Sequence, residues 1–186
     1  MIVQALAGPP DPRGRRGRCF LLLDPESRQV VVVDPPIDWR GIRAFLDAHG
    51  AGLAVVATTG SSSGARKTAR DTTEAFQARW FTPATAPAPA PASGRDTLAF
   101  GRHTLHLHTA ADGDAALLVG PGCLFTGSAL LAGEIPPEEE PARFRARASW
   151  LRQVLGELPA RTRIYPGRGP VSEVGLERTC NQELWG

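Results

Sequence analysis

The stretch Thr58-Thr59-Gly60-Ser61-Ser62-Ser63-Gly64 follows directly on the apolar run Val55-Val56-Ala57. Small hydroxyl residues and glycine between a strand-like run and a helical pattern offer two kinds of chemistry. The hydroxyls and backbone N–H groups of Ser61-Ser62-Ser63-Gly64, ahead of a helix, can hold a small anion such as phosphate or sulfate. The spacing is not that of a P-loop, so the plainer reading is a polar loop. Ser61, Ser63 or, further on, Ser128 would be a nucleophile if a histidine base reached it. The candidate bases are His103, His106 and His108. A triad requires base and orienting group in contact with the serine, and no G-x-S-x-G elbow is present. His106 and His108 fall on one face of a strand pattern. Two imidazoles fall short of the donors a metal site requires, so a structural role is expected for both.

Composition narrows the function classes. The chain has 186 residues, 42% of them hydrophobic, and a formal net charge of +2. That length fits one domain, residues 1–186, with a buried core. Near-neutral charge does not call for a polyanionic partner. Arg13-Gly14-Arg15-Arg16-Gly17-Arg18 is a local basic cluster. It lacks interleaved aromatic residues, so nucleic acid is not expected as a partner. No apolar run is long enough to span a bilayer, and the N-terminus lacks a basic region before an apolar core. Cys19, Cys123 and Cys180 are odd in number and widely spaced. They fit a reducing, cytoplasmic setting better than a disulfide framework or a zinc knot. Cys19 and Cys123 read as inert core residues.

The elements that would position these residues alternate between strand and helix. Cys19–Leu23 and Gln29–Val33 flank Asp24-Pro25-Glu26-Ser27 and read as a hairpin of buried strands. Trp39, Ile42, Phe45 and Leu46 recur at helical spacing, with Gly50 as a stop. Leu53–Ala57 is a further strand, and about 65–79 a helix. From about 82 to 94, alternating proline and alanine favour an extended loop. Strand signals return at 97–100, 104–108, 115–119 and 123–126. Pro141–Leu158 reads as an amphipathic helix, with Glu138-Glu139-Glu140 supplying negative charge at its start. Arg163–Tyr165 is a short last strand. Strands and helices in both halves predict an α/β layered sandwich.

Five segments in order resemble the glyoxalase II and persulfide dioxygenase branch of the metallo-β-lactamase superfamily. Arg18-Cys19-Phe20-Leu21-Leu22-Leu23-Asp24 is similar to N-C-Y-L-L-x-D, with arginine for asparagine. Val31-Val32-Val33-Asp34-Pro35-Pro36 is similar to a strand ending I-D-P-G. Leu124-Phe125-Thr126-Gly127-Ser128-Ala129-Leu130 is similar to L-F-T-G-D-T-L. Ile164-Tyr165-Pro166-Gly167-Arg168-Gly169-Pro170 is similar to V-Y-P-G-H-G-P. Val174-Gly175-Leu176-Glu177-Arg178-Thr179-Cys180-Asn181 is similar to I-G-x-E-R-x-x-N. The resemblance spans nearly the whole chain and implies a four-layer αββα sandwich.

It also implies what has changed. The family's T-H-x-H-x-D-H loop falls on Thr58–Gly64, so its metal ligands align with Thr59, Ser61, Ser63 and Gly64. The last histidine of H-T-P-G-H aligns with Asp112, the bridging aspartate of T-G-D with Ser128, and the histidine of P-G-H-G with Arg168. Only Asp112 keeps a side chain that readily binds metal. Neutral hydroxyls do not replace imidazole, and Arg168 brings a fixed positive charge where a cation should sit. No metal or other cofactor is therefore expected. A bridge from Arg168 to Asp112 or Asp34 is expected in its place. The reading is a catalytically inactive binding or interaction module for a small anion or a protein. The alternative is a hydrolase-like enzyme with a relocated, metal-independent site in the same cleft. The branch's thioester enzymes also carry a helical substrate domain. This chain stops soon after its E-R-T-x-N segment, so glutathione conjugates are not expected as ligands. Nothing in the residues marks an oligomeric state.

Overall fold

Two continuous apolar runs, Cys19–Leu23 and Val30–Val33, are buried on both faces, as strands between two layers must be. A computed structural model describes residues 1–10, 16–81 and 95–186. The Pro/Ala-rich stretch expected at about 82–94 and the start of the basic cluster lie outside the described residues.

The first sheet has the order β1-β2-β3-β4-β5. Its strands are β1 (Ile2–Pro10), β2 (Arg16–Asp24), β3 (Gln29–Val33), β4 (Gly52–Ala57) and β5 (Arg79–Phe81). β1, β2 and β3 pair antiparallel; β3, β4 and β5 are parallel. The parallel steps require crossovers. These are α1 (Arg40–His49) and α2 (Ser63–Phe76). α1 ends at Gly50, whose φ of 54° is the left-handed conformation that glycine tolerates. α2 starts at Ser62, whose hydroxyl accepts from the Ala65 N–H at 3.2 Å.

The second sheet has the order β11-β10-β9-β8-β7-β6. It comprises β6 (Arg95–Phe100), β7 (His103–Thr109), β8 (Ala116–Gly120), β9 (Cys123–Gly127), β10 (Arg163–Pro166) and β11 (Ser172–Glu173). β9 and β10 are parallel and are joined through α3 (Pro141–Glu157). Two short helices follow, α4 (Val174–Cys180) and α5 (Gln182–Trp185).

Side-chain alternation divides the core into three sheets of contact. Phe20, Leu22, Val31 and Val33 face Leu105, Leu107, Leu118 and Phe125 between the sheets. Cys19, Leu21, Val30 and Val32 face the other way, onto Ile42, Phe45 and Ala69 of α1 and α2. Leu117, Leu124 and Ile164 pack under Leu151, Val154 and Leu155 of α3. The result is the expected αββα sandwich. Phe20, Phe125 and Tyr165 lock the two sheets, with ring centroids 5.2–5.6 Å apart. Among the described residues no helix is long and apolar enough to cross a membrane.

Candidate functional site

Four strand ends, those of β3, β4, β9 and β10, converge on one rim of the sandwich. Their loops are tied together by hydrogen bonds. Asp34 ends β3 and accepts from the Thr59 N–H (2.8 Å) and the Thr59 hydroxyl (2.6 Å). The Thr59 carbonyl accepts from Ala116 N–H at 2.8 Å, tying the β4 loop to the second sheet. Gly167 N–H donates to Gly127 O at 2.7 Å, and Arg18 N–H to Gly167 O at 2.8 Å. The backbone of Gly127 has φ +53°, and a Cβ there would lie 2.0 Å from the Thr59 hydroxyl. Only glycine lets that loop approach so closely. Asp34 is itself left-handed, with φ 53°. Aspartate tolerates this region better than most residues, and its two bonds from Thr59 hold it there.

These loops enclose a cleft of about 380 Å³. Asp34, Thr58, Thr59, Ser128 and Arg168 give it polar surface, together with Arg18 at the start of β2. Pro35, Pro36 and Ile37 form an apolar wall, and α2 with its cap contributes Ser62, Ala65 and Thr68. Arg18 and Arg168 are both half-buried, and neither forms an ion pair among the described residues. The Thr58 hydroxyl is buried with no hydrogen-bond partner among the described residues. Asp34 is half-buried, and burial raises its carboxyl above the usual range while the bonds from Thr59 pull it back. Cys19 also lines the cleft. Burial first, and then the nearby Asp34 charge, hold its thiol far above its ordinary pKa, so it is a neutral thiol and not a nucleophile.

Of the residues singled out in the sequence, Asp34, Thr59, Ser128 and Arg168 line this cleft. Ser61, Ser63, Gly64 and Asp112 are not among its lining residues. Ser61 sits beside it, its hydroxyl 3.2 Å from both the carbonyl and the carboxylate of Asp114. Ser63 and Gly64 are exposed in the first turn of α2. Asp112 is exposed on the turn between β7 and β8.

The expected bridge from Arg168 to Asp112 or Asp34 is not formed among the described residues. Asp112 pairs instead with Arg143 of α3 at 3.5 Å, and Arg143 lies closer still to Asp114, at 2.5 Å. α3 places the Arg143 guanidinium at that turn, between the two carboxylates. Both carboxylate oxygens of Asp34 are already engaged by Thr59.

None of His103, His106 and His108 lines the cleft. All three lie on β7, in the second sheet. His103 is 3.7 Å from Asp24 at the β2–β3 turn, and burial lowers its pKa more than that carboxylate raises it. Arg18, Thr58 and the Pro-Pro-Ile wall escaped sequence reasoning. The arginine standing where the similar motif has asparagine was the available signal for Arg18.

Sequence comparison gives no match to any family model and none to any curated protein. Comparison of folds does. ETHE1 from Myxococcus xanthus superposes with a TM-score of 0.78 at 21% identity, over 100% of this chain and 85% of that one. The BLEG-1 B3 metallo-β-lactamase gives 0.75 at 16% identity, over 98% and 100% of the two chains. TTHA1623, solved in a di-iron-bound form, gives 0.69 at 18%, over 98% and 99%. The chain has the metallo-β-lactamase fold. At these identities the likeness establishes fold and nothing of chemistry.

The residues present do not fit the metal that this fold implies. Among the described residues no three of His, Cys, Asp or Glu gather as a ligand set. The Thr59 hydroxyl is committed to Asp34, Asp112 to Arg143, and Arg168 is a permanent cation.

Proposed function

We propose that this protein is a metal-independent binding module that holds a small anion in the cleft at the β3, β4, β9 and β10 loops. The observation that carries this reading is the pair of half-buried arginines, Arg18 and Arg168, lining a cleft whose one carboxylate among the described residues, Asp34, is already bonded to Thr59. Two guanidiniums partly withdrawn from water favour an anionic guest. The role is binding and not turnover, and the three free cysteines accord with a cytoplasmic setting.

Two measurements test this. Protein expressed with zinc and iron supplied should hold less than about a tenth of an equivalent of either by elemental analysis. Titration calorimetry should detect an anion such as phosphate or a carboxylate, and Arg168→Gln should weaken it about tenfold. A full equivalent of metal that resists dialysis, or anion affinity indifferent to Arg168, overturns the proposal.

A second reading rests on Asp34. A cleft carboxyl raised by burial is suited to proton transfer, so the same pocket could serve a metal-independent enzyme. Its residues would be Asp34, Arg168 and Ser128, since Asp112 is engaged elsewhere. Turnover abolished by Asp34→Asn in a variant that still binds the anion would favour it.

A further inference from the structure

The cleft is charged on one side and apolar on the other, and this narrows the class of guest. The inference rests on the anion-binding reading above. Ile37 is 78% exposed at the edge of the cleft, where a guest would cover it. It continues the Pro35-Pro36 wall, with Ala65 of α2 also lining the cleft. Pro35, Pro36 and Ile37 offer no polar side chain to an inorganic ion, while Ser62 and Thr68 flank Ala65 on the α2 side of the lining. Among the described residues the charges on the other side are Arg18, Arg168 and Asp34. With Asp34 ionised they leave a single positive charge, which one carboxylate neutralises and a phosphate dianion overshoots. Thr59, on the same lining, has both its hydroxyl and its backbone N–H on Asp34, so the arginines are the groups left for a charged head. A cleft of 380 Å³ corresponds to about a dozen waters at roughly 30 Å³ each, more than a bare carboxylate fills.

We infer that the cleft takes an amphipathic monocarboxylate, its head at Arg18 and Arg168 and its alkyl or aryl body along Pro35-Pro36-Ile37. A guest of this kind uses both surfaces at once, covering Ile37 while pairing the guanidiniums. Arginine is suited to the head because its planar fork matches a carboxylate with two parallel hydrogen bonds.

The test compares octanoate with acetate, octanamide and inorganic phosphate by calorimetry on the full chain. Octanoate should bind at least tenfold more tightly than each of the other three. Ile37→Ser should weaken octanoate about tenfold and leave acetate unchanged; being on an exposed residue, it spares the core. Arg168→Gln should weaken octanoate and acetate alike. Circular dichroism and unfolding midpoints confirm that each variant is folded. If phosphate or acetate binds as well as octanoate, or Ile37→Ser changes nothing, the amphipathic carboxylate is the wrong guest while the anion site stands. If no anion binds at all, the anion site falls with it.

Discussion

Replacing Thr59 with valine removes one hydroxyl from the centre of the cleft at nearly constant volume. The lost contact is the 2.6 Å bond to Asp34; the backbone bond at 2.8 Å remains. A hydrogen bond to a charged group contributes about 1.5–3 kcal/mol, one to a neutral group about 0.5–1.5 kcal/mol. Asp34 is only half-buried, so the lower part of the first range applies. The variant should therefore lose about 1.5–2 kcal/mol when Asp34 is ionised and about 1 kcal/mol when it is protonated.

The pH dependence has a definite sign. Burial raises the folded-state pKa of Asp34. A carboxyl raised in this way contributes stability that is fully present below its unfolded pKa and lost as pH rises through the folded one. Thr59→Val removes a bond that favours the charged form, so it raises the folded value further and enlarges that loss. Urea denaturation of parent and variant should show a deficit larger at about pH 8 than at about pH 5. Carboxylates that behave oppositely, such as Asp24, which its Ser27 hydrogen bond holds below the usual range, are common to both proteins and cancel in the difference. A deficit equal at both pH values, or larger in acid, would refute the charge placement at Asp34.

Other substitutions separate the cleft from its supports. Gly127→Ala forces a side chain into φ +53° and a Cβ to within 2.0 Å of the Thr59 hydroxyl, so thermal unfolding should show a loss of about 2–4 kcal/mol together with weaker anion binding. Glu177, only 2% exposed, accepts from Gly133 N–H (3.0 Å), Ser172 Oγ (2.5 Å) and Asn181 Nδ2 (2.7 Å). Glu177→Gln turns one acceptor into a donor facing donors; denaturation should register a loss of about 1–3 kcal/mol, with the anion affinity measured by calorimetry unchanged.

The fold was legible because its strands are buried on both faces, which writes them as unbroken apolar runs. Cys19–Leu23, Val30–Val33 and Leu53–Ala57 stand out for that reason, as do the helical spacing of α1 and Gly50 at its end. β1 was not read as a strand, because Ile2, Gln4 and Ala5 lie exposed at the sheet edge and its pattern is diluted. β5 and β11 have three and two residues, too short for any periodicity to register. The acidic run stands at the start of α3, with Glu140 at the N-cap. Glu140 makes no side-chain cap, while Glu138 pairs with Arg147 two turns into the helix. In the cleft, the identity of Asp34 and Arg168 was readable, but not their partners. Which carboxylate meets which cation depends on the helix carrying Arg143 to the β7–β8 turn, a tertiary fact absent from local pattern.

The loops of this cleft are held by the protein itself, and that has a measurable consequence. In a metal site, loop order is coupled to the ion, and removing it destabilises the protein by the binding free energy at the ion's concentration. Here Asp34 fixes the β4 loop through Thr59, Ala116 anchors that loop to the second sheet, and Gly167 joins the β9 loop to Arg18. Each tie runs between protein atoms. The unfolding midpoint should thus be unchanged by a chelator and unaffected by added zinc or iron, whereas octanoate should raise it as its concentration passes the dissociation constant. At about a hundred times that constant, the linkage amounts to about 2.7 kcal/mol. A midpoint that falls with chelator would mean that an ion, and not the Asp34–Thr59 pair, orders this rim. The arginines would then have to be balanced by donors outside the set drawn together here.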